Sequence, residues 1–229
     1  MKIDYLMHCG SDDTIANTAR VSMEEEGKWN ELPENYTPAQ RDRLIKYLAT
    51  HKHTSPFRHN SVSIRCSVPI FIARQLGKHQ VGLSWNEVSR RYVDTEPTFH
   101  TPEEWRSRPD GSIKQGSGDS VVHHCDNSYF EETDDPISCV YDDLVEHAMC
   151  VYKSMLEAGV APEQARMVLP QSMMTEFVWS GSLMAFAHVY NLRIDGHAQV
   201  EAQEFARQLD TIIRPLFPVA WEALVGEVK

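Results

Sequence analysis

A mixed α/β (α+β) domain, helix-rich in its C-terminal half, is what the sequence predicts, on three observations. In SVSIRCSVPI (61–70), Val62, Ile64, Cys66 and Val68 alternate with polar residues, the period-two pattern of a half-buried strand. In TPAQRDRLIKYLATH, a Thr–Pro start and Leu44, Ile45 and Leu48 at helical spacing predict a helix over 38–51. Toward the C-terminus, two long stretches, SLMAFAHVYNLRI and HAQVEAQEFARQLDTIIRPL, read as helices.

The remaining elements follow in order. KIDYLMHC (2–9) reads as a short strand, and DDTIANTARVSM (12–23) as a helix opened by acidic residues. Glu24 to Tyr36 is a polar loop. FIARQLGKHQ turns from strand to helix and breaks near Gly77. Residues 94–136 hold SRPDGSIKQGSGDS and are expected as a long irregular loop or insertion, folded as a lid over a substrate mouth. Val140, Leu144, Val151 and Met155 place a helix over 137–158, closed by Gly159. Pro162 opens a shorter helix that Pro170 ends, and TEFVW is a candidate strand. With no repeat, low-complexity tract or linker, the 229 residues are expected to form one domain, 1–229.

Composition narrows the function classes. No apolar run reaches the roughly 18 residues of a membrane span, and the N-terminus lacks a signal-peptide pattern, so a cytoplasmic, non-membrane protein is expected. Five cysteines without a CxxC fit reduced thiols better than a disulfide scaffold. His123, His124 and Cys125 are adjacent, which suits no single metal ion, so no metal is expected. The net charge of −11 disfavours a broad nucleic-acid-binding face, although a pocket for a small anion needs only a few local cations.

Those cations cluster in KHQVGLSWNEVSRRYV (78–93), where Lys78, Arg90 and Arg91 stand among Ser84, Asn86, Glu87 and Ser89, with Arg74 and Gln75 just before. Arg166, and Arg193 beside Asp195 and His197, form two further groups. Isolated surface cations usually cap helices or join weak ion pairs. Several together, with hydroxyl donors, suit phosphate, and Glu87 suits a ribose hydroxyl or ring N–H; the combination points to a nucleotide-sized ligand. GxGxxG, GxxxxGK[ST] and GxSxG are all absent, which removes Rossmann, P-loop and hydrolase-elbow readings.

Four blocks carry a resemblance: TARVSM (18–23), IKYLATHKHTSPFRHNSVSIRCSVPIFIARQ (45–75), SWNEVSRRYV (84–93), and EQARMVLPQSMMTEF continuing to NLRIDGHAQVE (163–201). In order and spacing the chain resembles the flavin-dependent thymidylate synthases. The family's signature is Arg-His-Arg, seven residues, then Ser, and here the triplet is altered: counting back seven residues from Ser89 selects His79, Gln80 and Val81, whereas one inserted residue selects Lys78, His79 and Gln80. The second placement keeps a leading cation and a central His and is adopted here. The third cation is missing at Gln80.

The resemblance implies one α+β domain with a central, mostly antiparallel sheet flanked by helices. It implies conversion of dUMP to dTMP, with the carbon from methylenetetrahydrofolate and the hydride from NADPH through FAD, in a homotetramer whose active sites are shared between chains. Carried over by position, Gln75, Lys78, Glu87, Val88, Ser89, Arg90, Arg91, Arg166 and Arg193 contact dUMP. Arg166 would come from another chain, and Arg193 is the catalytic residue, favouring the ionised uracil. Ser55, Lys78, His79, Gln80, Glu87, Ser182, Met184 and His188 contact FAD, and His53 lies near flavin and folate. Ser182 and Met184 stand where the family usually has Asn and Arg. Two alternatives remain open: a general flavin reductase and a non-catalytic nucleotide-binding protein.

Overall fold

The computed structural model describes residues 1–22, 36–93, 95–109, 111, 116–127 and 132–226. Most of the 24–36 loop, Met23 and most of the 110–115 stretch lie outside the described residues. The described chain falls into two compact units. The first comprises Lys2–Cys66, Leu76–Asn86 and the chain from Phe177 onward; the second comprises Met1, Ser67–Gln75 and Glu87–Glu176.

The chain alternates strands and helices at first. β1 is Lys2–Cys9, α1 Asp12–Arg20, α2 Pro38–Thr50, β2 Ser61–Pro69, α3 Ile70–Leu76 and β3 Leu83–Glu87. β4 (His124–Asn127) and β5 (Glu132–Pro136) precede α4 (Ile137–Glu157) and α5 (Pro162–Ala165). β6 (Met174–Ser182) then leads into α6 (Leu183–Arg193), α7 (Val200–Ile213) and α8 (Pro218–Val225).

The main sheet runs β1-β2-β6-β3. Its hydrogen bonds show antiparallel pairing: Leu183 N–H donates to the Asn60 carbonyl, and Ile70 N–H to that of Met173, so one index rises as the other falls. The same sense holds for β3 against β6, through Ser182 N–H to Gly82 and Val88 N–H to Glu176. The expected mixed α/β class with an antiparallel central sheet is therefore what the chain adopts.

Local chemistry explains the element boundaries. Thr37 and Gln40 form a reciprocal capping box at the start of α2, with Pro38 in the first turn. The Ser11 hydroxyl accepts from Thr14 N–H to open α1, which ends at Arg20, earlier than the expected Met23. α7 begins at Val200 rather than His197, because Asp195 takes the His197 N–H into a turn. α8, which the sequence reading missed, is held by Asp12: its carboxylate accepts from Val219 and Ala220 N–H at 2.9 and 3.0 Å, satisfying the orphan donors of the first turn.

The first unit's core is aromatic. Trp179, Phe186, Phe205, Tyr190 and Trp221 are fully buried, and Trp179 meets Phe186 edge-on at 5.5 Å. Each such side chain contributes roughly 1.5–3 kcal/mol or more by leaving water. Asp210, itself buried, accepts from Trp221 Nε1 at 2.7 Å and Arg214 Nη2 at 2.7 Å, which ties α7 to α8. α6 is buried on all but a narrow stripe, since Leu183, Ala185, Phe186, Ala187, Val189 and Tyr190 all face inward. That stripe carries Met184 and His188.

In the second unit, the segment 94–136 is more regular than expected. β4 and β5 form an antiparallel hairpin with a bulge between Cys125 and Asn127, and Phe99 bridges Met173. Tyr141 on α4 donates to the His100 carbonyl at 2.6 Å and packs 5.3 Å from the Trp105 ring. No helix among the described residues is long and apolar enough to cross a membrane.

Candidate functional site

In the first unit, the end of β6, the start of α6, β3 and the Pro56–Arg58 turn enclose a cleft of about 760 Å³. Two glycines shape it. Gly82 adopts φ +73°, a left-handed conformation that only glycine takes freely. A Cβ on Gly181 would lie 2.4 Å from Leu83 Cδ2 and 2.6 Å from the Gly82 carbonyl oxygen. The backbones of β3 and β6 therefore approach more closely than any side chain permits, and Ser182 N–H bonds to Gly82 across the gap.

The Ser182 hydroxyl caps α6, accepting from Ala185 N–H at 3.2 Å. Met184 and His188, one turn apart on the exposed stripe of α6, both line the cleft. Ser61, Ser84 and Ser180 add hydroxyls, and Val81 and Ala185 add apolar surface. Ser180 is engaged with Ser63 at 2.8 Å.

At the end of α6, Arg193 meets His79. Its Nε and Nη2 lie 3.1 and 2.9 Å from His79 Nε2. A guanidinium can only donate, so Nε2 accepts and the imidazole carries its proton on Nδ1. Burial first, then the charge of Arg193 and the nearby His188, hold the His79 pKa down to about 4. His79 is thus neutral at physiological pH. Burial also lowers the Arg193 pKa, yet a guanidinium remains charged. The His188 ring stands edge-on to His79, 5.9 Å away. The result is a half-buried cation held by a neutral acceptor, with its charge left uncompensated by that partner.

The other expected residues of this unit are more open. Lys78 and Gln80 are exposed in the turn between α3 and β3, where His79 N–H donates to Leu76 and Leu83 N–H to Gln80. Ser55 is exposed and its carbonyl accepts Arg58 N–H. His53 lies parallel to Tyr47 at 6.1 Å, and His51 is 4.1 Å from the same ring.

The remaining expected residues belong to the second unit. Gln75 is half-buried on α3. Glu87 accepts from Thr175 Oγ1 at 2.6 Å, and Val88 N–H donates to Glu176. The Ser89 hydroxyl accepts from Arg91 N–H and Nε at 3.4 and 3.3 Å, Arg90 donates to the Thr95 carbonyl, and Arg91 lies over the Tyr92 ring. Arg166 is exposed and donates to the Glu163 carbonyl at 3.2 Å.

Sequence reasoning missed Arg58, Val81, Gly82 and Gly181 as cleft residues. A signal existed for Arg58: an Arg between Pro56 and the start of β2, inside a turn rich in Ser and His. No group of three or more potential metal ligands occurs among the described residues.

The third strand of the antiparallel sheet thus runs into a helix whose first turns line the cleft and whose last residue is Arg193, and the comparisons say to which class of enzyme this frame belongs. The family model "Thymidylate synthase complementing protein" matches residues 4–219, and the chain belongs to that family, the flavin-dependent thymidylate synthases. The flavin-dependent thymidylate synthase of Kosmotoga olearia is 37% identical over 221 residues, covering 95% of this chain and 86% of that one. Its counterpart in Thermus thermophilus is 34% identical over 214 residues, covering 93% and 72%. Among solved structures, the UMP/dUMP methylase PolB of Streptomyces cacaoi bound with 5-Br dUMP aligns with a TM-score of 0.79 at 29% identity, over 97% of this chain and 93% of that one. The same methylase has been solved bound with 5-Br UMP, with a TM-score of 0.78.

Proposed function

We propose that this enzyme, a single domain spanning the chain, methylates dUMP to dTMP with methylenetetrahydrofolate as carbon donor, NADPH as reductant and FAD as cofactor. The observation that carries the reading is Arg193, a guanidinium fixed by two hydrogen bonds that it donates to a neutral His79 in the unit that also holds the cleft. Methylation at a pyrimidine carbon needs an electron-rich ring. A positioned cation beside the ring carbonyls favours the ionised form, and a preorganised interaction of this kind is worth roughly 3–4 kcal/mol. A protonated His79 would repel that guanidinium, so its lowered pKa serves the same end.

The cleft fits a flavin on its own features. Its size lies within the usual range for cofactor sites. The glycine-lined backbone admits a flat ring, Met184, Ala185 and Val81 supply apolar contact, and Ser182 and His188 supply polar groups. When bound, FAD supplies the hydride chemistry. The protein's part is to orient, polarise and exclude water. Ring activation by a cysteine finds no support, because no Cys lines the cleft and burial pushes the Cys66 thiol far up.

In the second unit, Ser89, Arg90 and Arg91, with Gln75, Glu87 and Val88, would bind the nucleotide. Arg166 would reach a neighbouring chain's site in a homotetramer, and exposed Lys78, Gln80, Ser55 and His53 would meet cofactor or folate. A cytoplasmic setting accords with the thiol content. A ribonucleotide is the second substrate reading, because the similar Streptomyces methylase is described as acting on both UMP and dUMP. The test is an absorbance spectrum of the pure protein, followed by bleaching with NADPH and a product assay on dUMP and UMP separately. Methylated nucleotide formation is expected. Reduction of flavin at one rate with or without nucleotide, and no methylated product, would leave only a flavin reductase. A colourless protein that binds dUMP tightly would leave only a binding protein.

A further inference from the structure

Arg58 has no role in the reading above, yet it lines the α6 cleft. Its position is fixed: Pro56 and Phe57 of the same turn are buried, and Arg58 N–H donates to the Ser55 carbonyl at 3.0 Å. Its guanidinium is exposed and makes no ion pair or hydrogen bond among the described residues. Arg41, by contrast, is matched by Asp13 and Asp42, and Arg214 by Asp210.

The surroundings favour an anion. No carboxylate lines the cleft, and the hydroxyls of Ser61 and Ser84 are likewise without a hydrogen-bond partner among the described residues. Val81, Met184 and Ala185 add apolar lining. Such a cleft suits a molecule with a flat apolar part and a phosphorylated tail. Arg grips phosphate through two parallel N–H bonds, and serine hydroxyls add neutral donors. We propose that Arg58 is a phosphate-binding residue of this cleft and holds the phosphate chain of the flavin dinucleotide, with Ser61 and Ser84 as auxiliary donors. The assignment rests on the flavin reading given above.

The experiment is a fluorescence titration of wild type, R58Q and R58K with FAD, riboflavin and dUMP, alongside thermal melts. R58Q is expected to bind FAD about tenfold more weakly, with riboflavin and dUMP unchanged and an unaltered melt, and R58K to recover part of the loss. Wild-type affinity for FAD, but not riboflavin, should fall with salt. Unchanged FAD affinity in R58Q overturns the proposal while leaving the flavin reading intact. Equal losses for riboflavin and FAD overturn it too, since Arg58 would then shape the cleft rather than read phosphate. A loss confined to dUMP reassigns the residue to the substrate and overturns the flavin assignment. A wild type that takes up no flavin removes the cofactor reading and this proposal together.

Discussion

Arg193 and the pair Arg90 and Arg91 use the same kind of side chain in opposite ways. On α6, Arg193 is half-buried and held by a neutral imidazole, so its charge is retained and aimed. In the Ser89–Arg91 turn, Arg90 and Arg91 are tied to a carbonyl, a hydroxyl and a ring at the surface. Water screens the second pair and reaches the first only in part. A cation meant to stabilise charge in a reaction belongs in the first setting, where the effective dielectric is low. A cation meant to catch a phosphate works in the second.

The largest effect that would test the contrast is on Arg193. Arg193→Ala should lower the rate of product formation about 100- to 1000-fold while flavin stays bound, measured by turnover and by the absorbance of the purified variant. Full turnover, or loss of the flavin, would remove the distinction between Arg193 and the surface pair.

A second effect concerns the cleft floor. Gly181→Ala places a methyl group against the Gly82 carbonyl as well as the Leu83 side chain, and backbone cannot yield as a flexible side chain does. A destabilisation of about 1–3 kcal/mol is expected, with weakened flavin binding, read from denaturant melts and a flavin titration. Gly159→Ala provides the control for a left-handed glycine with open space around it: it should be strained but leave flavin binding unchanged.

The third effect is on pH dependence. Because the His79 pKa falls from 6.5 to about 4 on folding, the unfolded chain takes up this proton first as pH drops. The stabilising contribution is present above pH 6.5 and is lost progressively as pH falls toward about 4. Melting temperatures across that range should fall less steeply in His79→Gln, whose amide oxygen still accepts from Arg193. Parallel curves for the two proteins would show that His79 is not the group responsible.

The smallest effect is on the exposed turn. Arg91→Ala should change stability by less than about 0.5 kcal/mol but raise the KM for dUMP several-fold, more so at low salt. A large drop in kcat with unchanged KM would place Arg91 with Arg193 rather than opposite it.

How far the sequence reached depends on burial. β2 and α2 were legible because one face of each is buried, and their apolar periodicity survives in Val62, Ile64, Cys66 and Val68, and in Ile45 and Leu48. β4 and β5 were missed because HCDN and ETDDP carry no apolar alternation; their pairing comes from the backbone. β3 was hidden inside a polar, cation-rich stretch, where Leu83 and Trp85 alone hint at a strand. α8 was missed because its start depends on Asp12, a residue distant in the chain. The site divides likewise. Ser182, Met184, His188 and Arg193 were named from the resemblance, and three of them do line one cleft. Their meeting with Gly82, Gly181 and Arg58 could not be read from sequence distance.

What the amino-acid sequence settled alone was the periodic, the compositional and the motif-borne: the buried strand and helices, the acidic balance, and membership of a family by the order of its blocks. Tertiary structure alone decided which of those residues carry usable charge. Whether an arginine is screened, paired or aimed depends on what surrounds it across the fold, and only packing brings a neutral imidazole at position 79 against a guanidinium at 193.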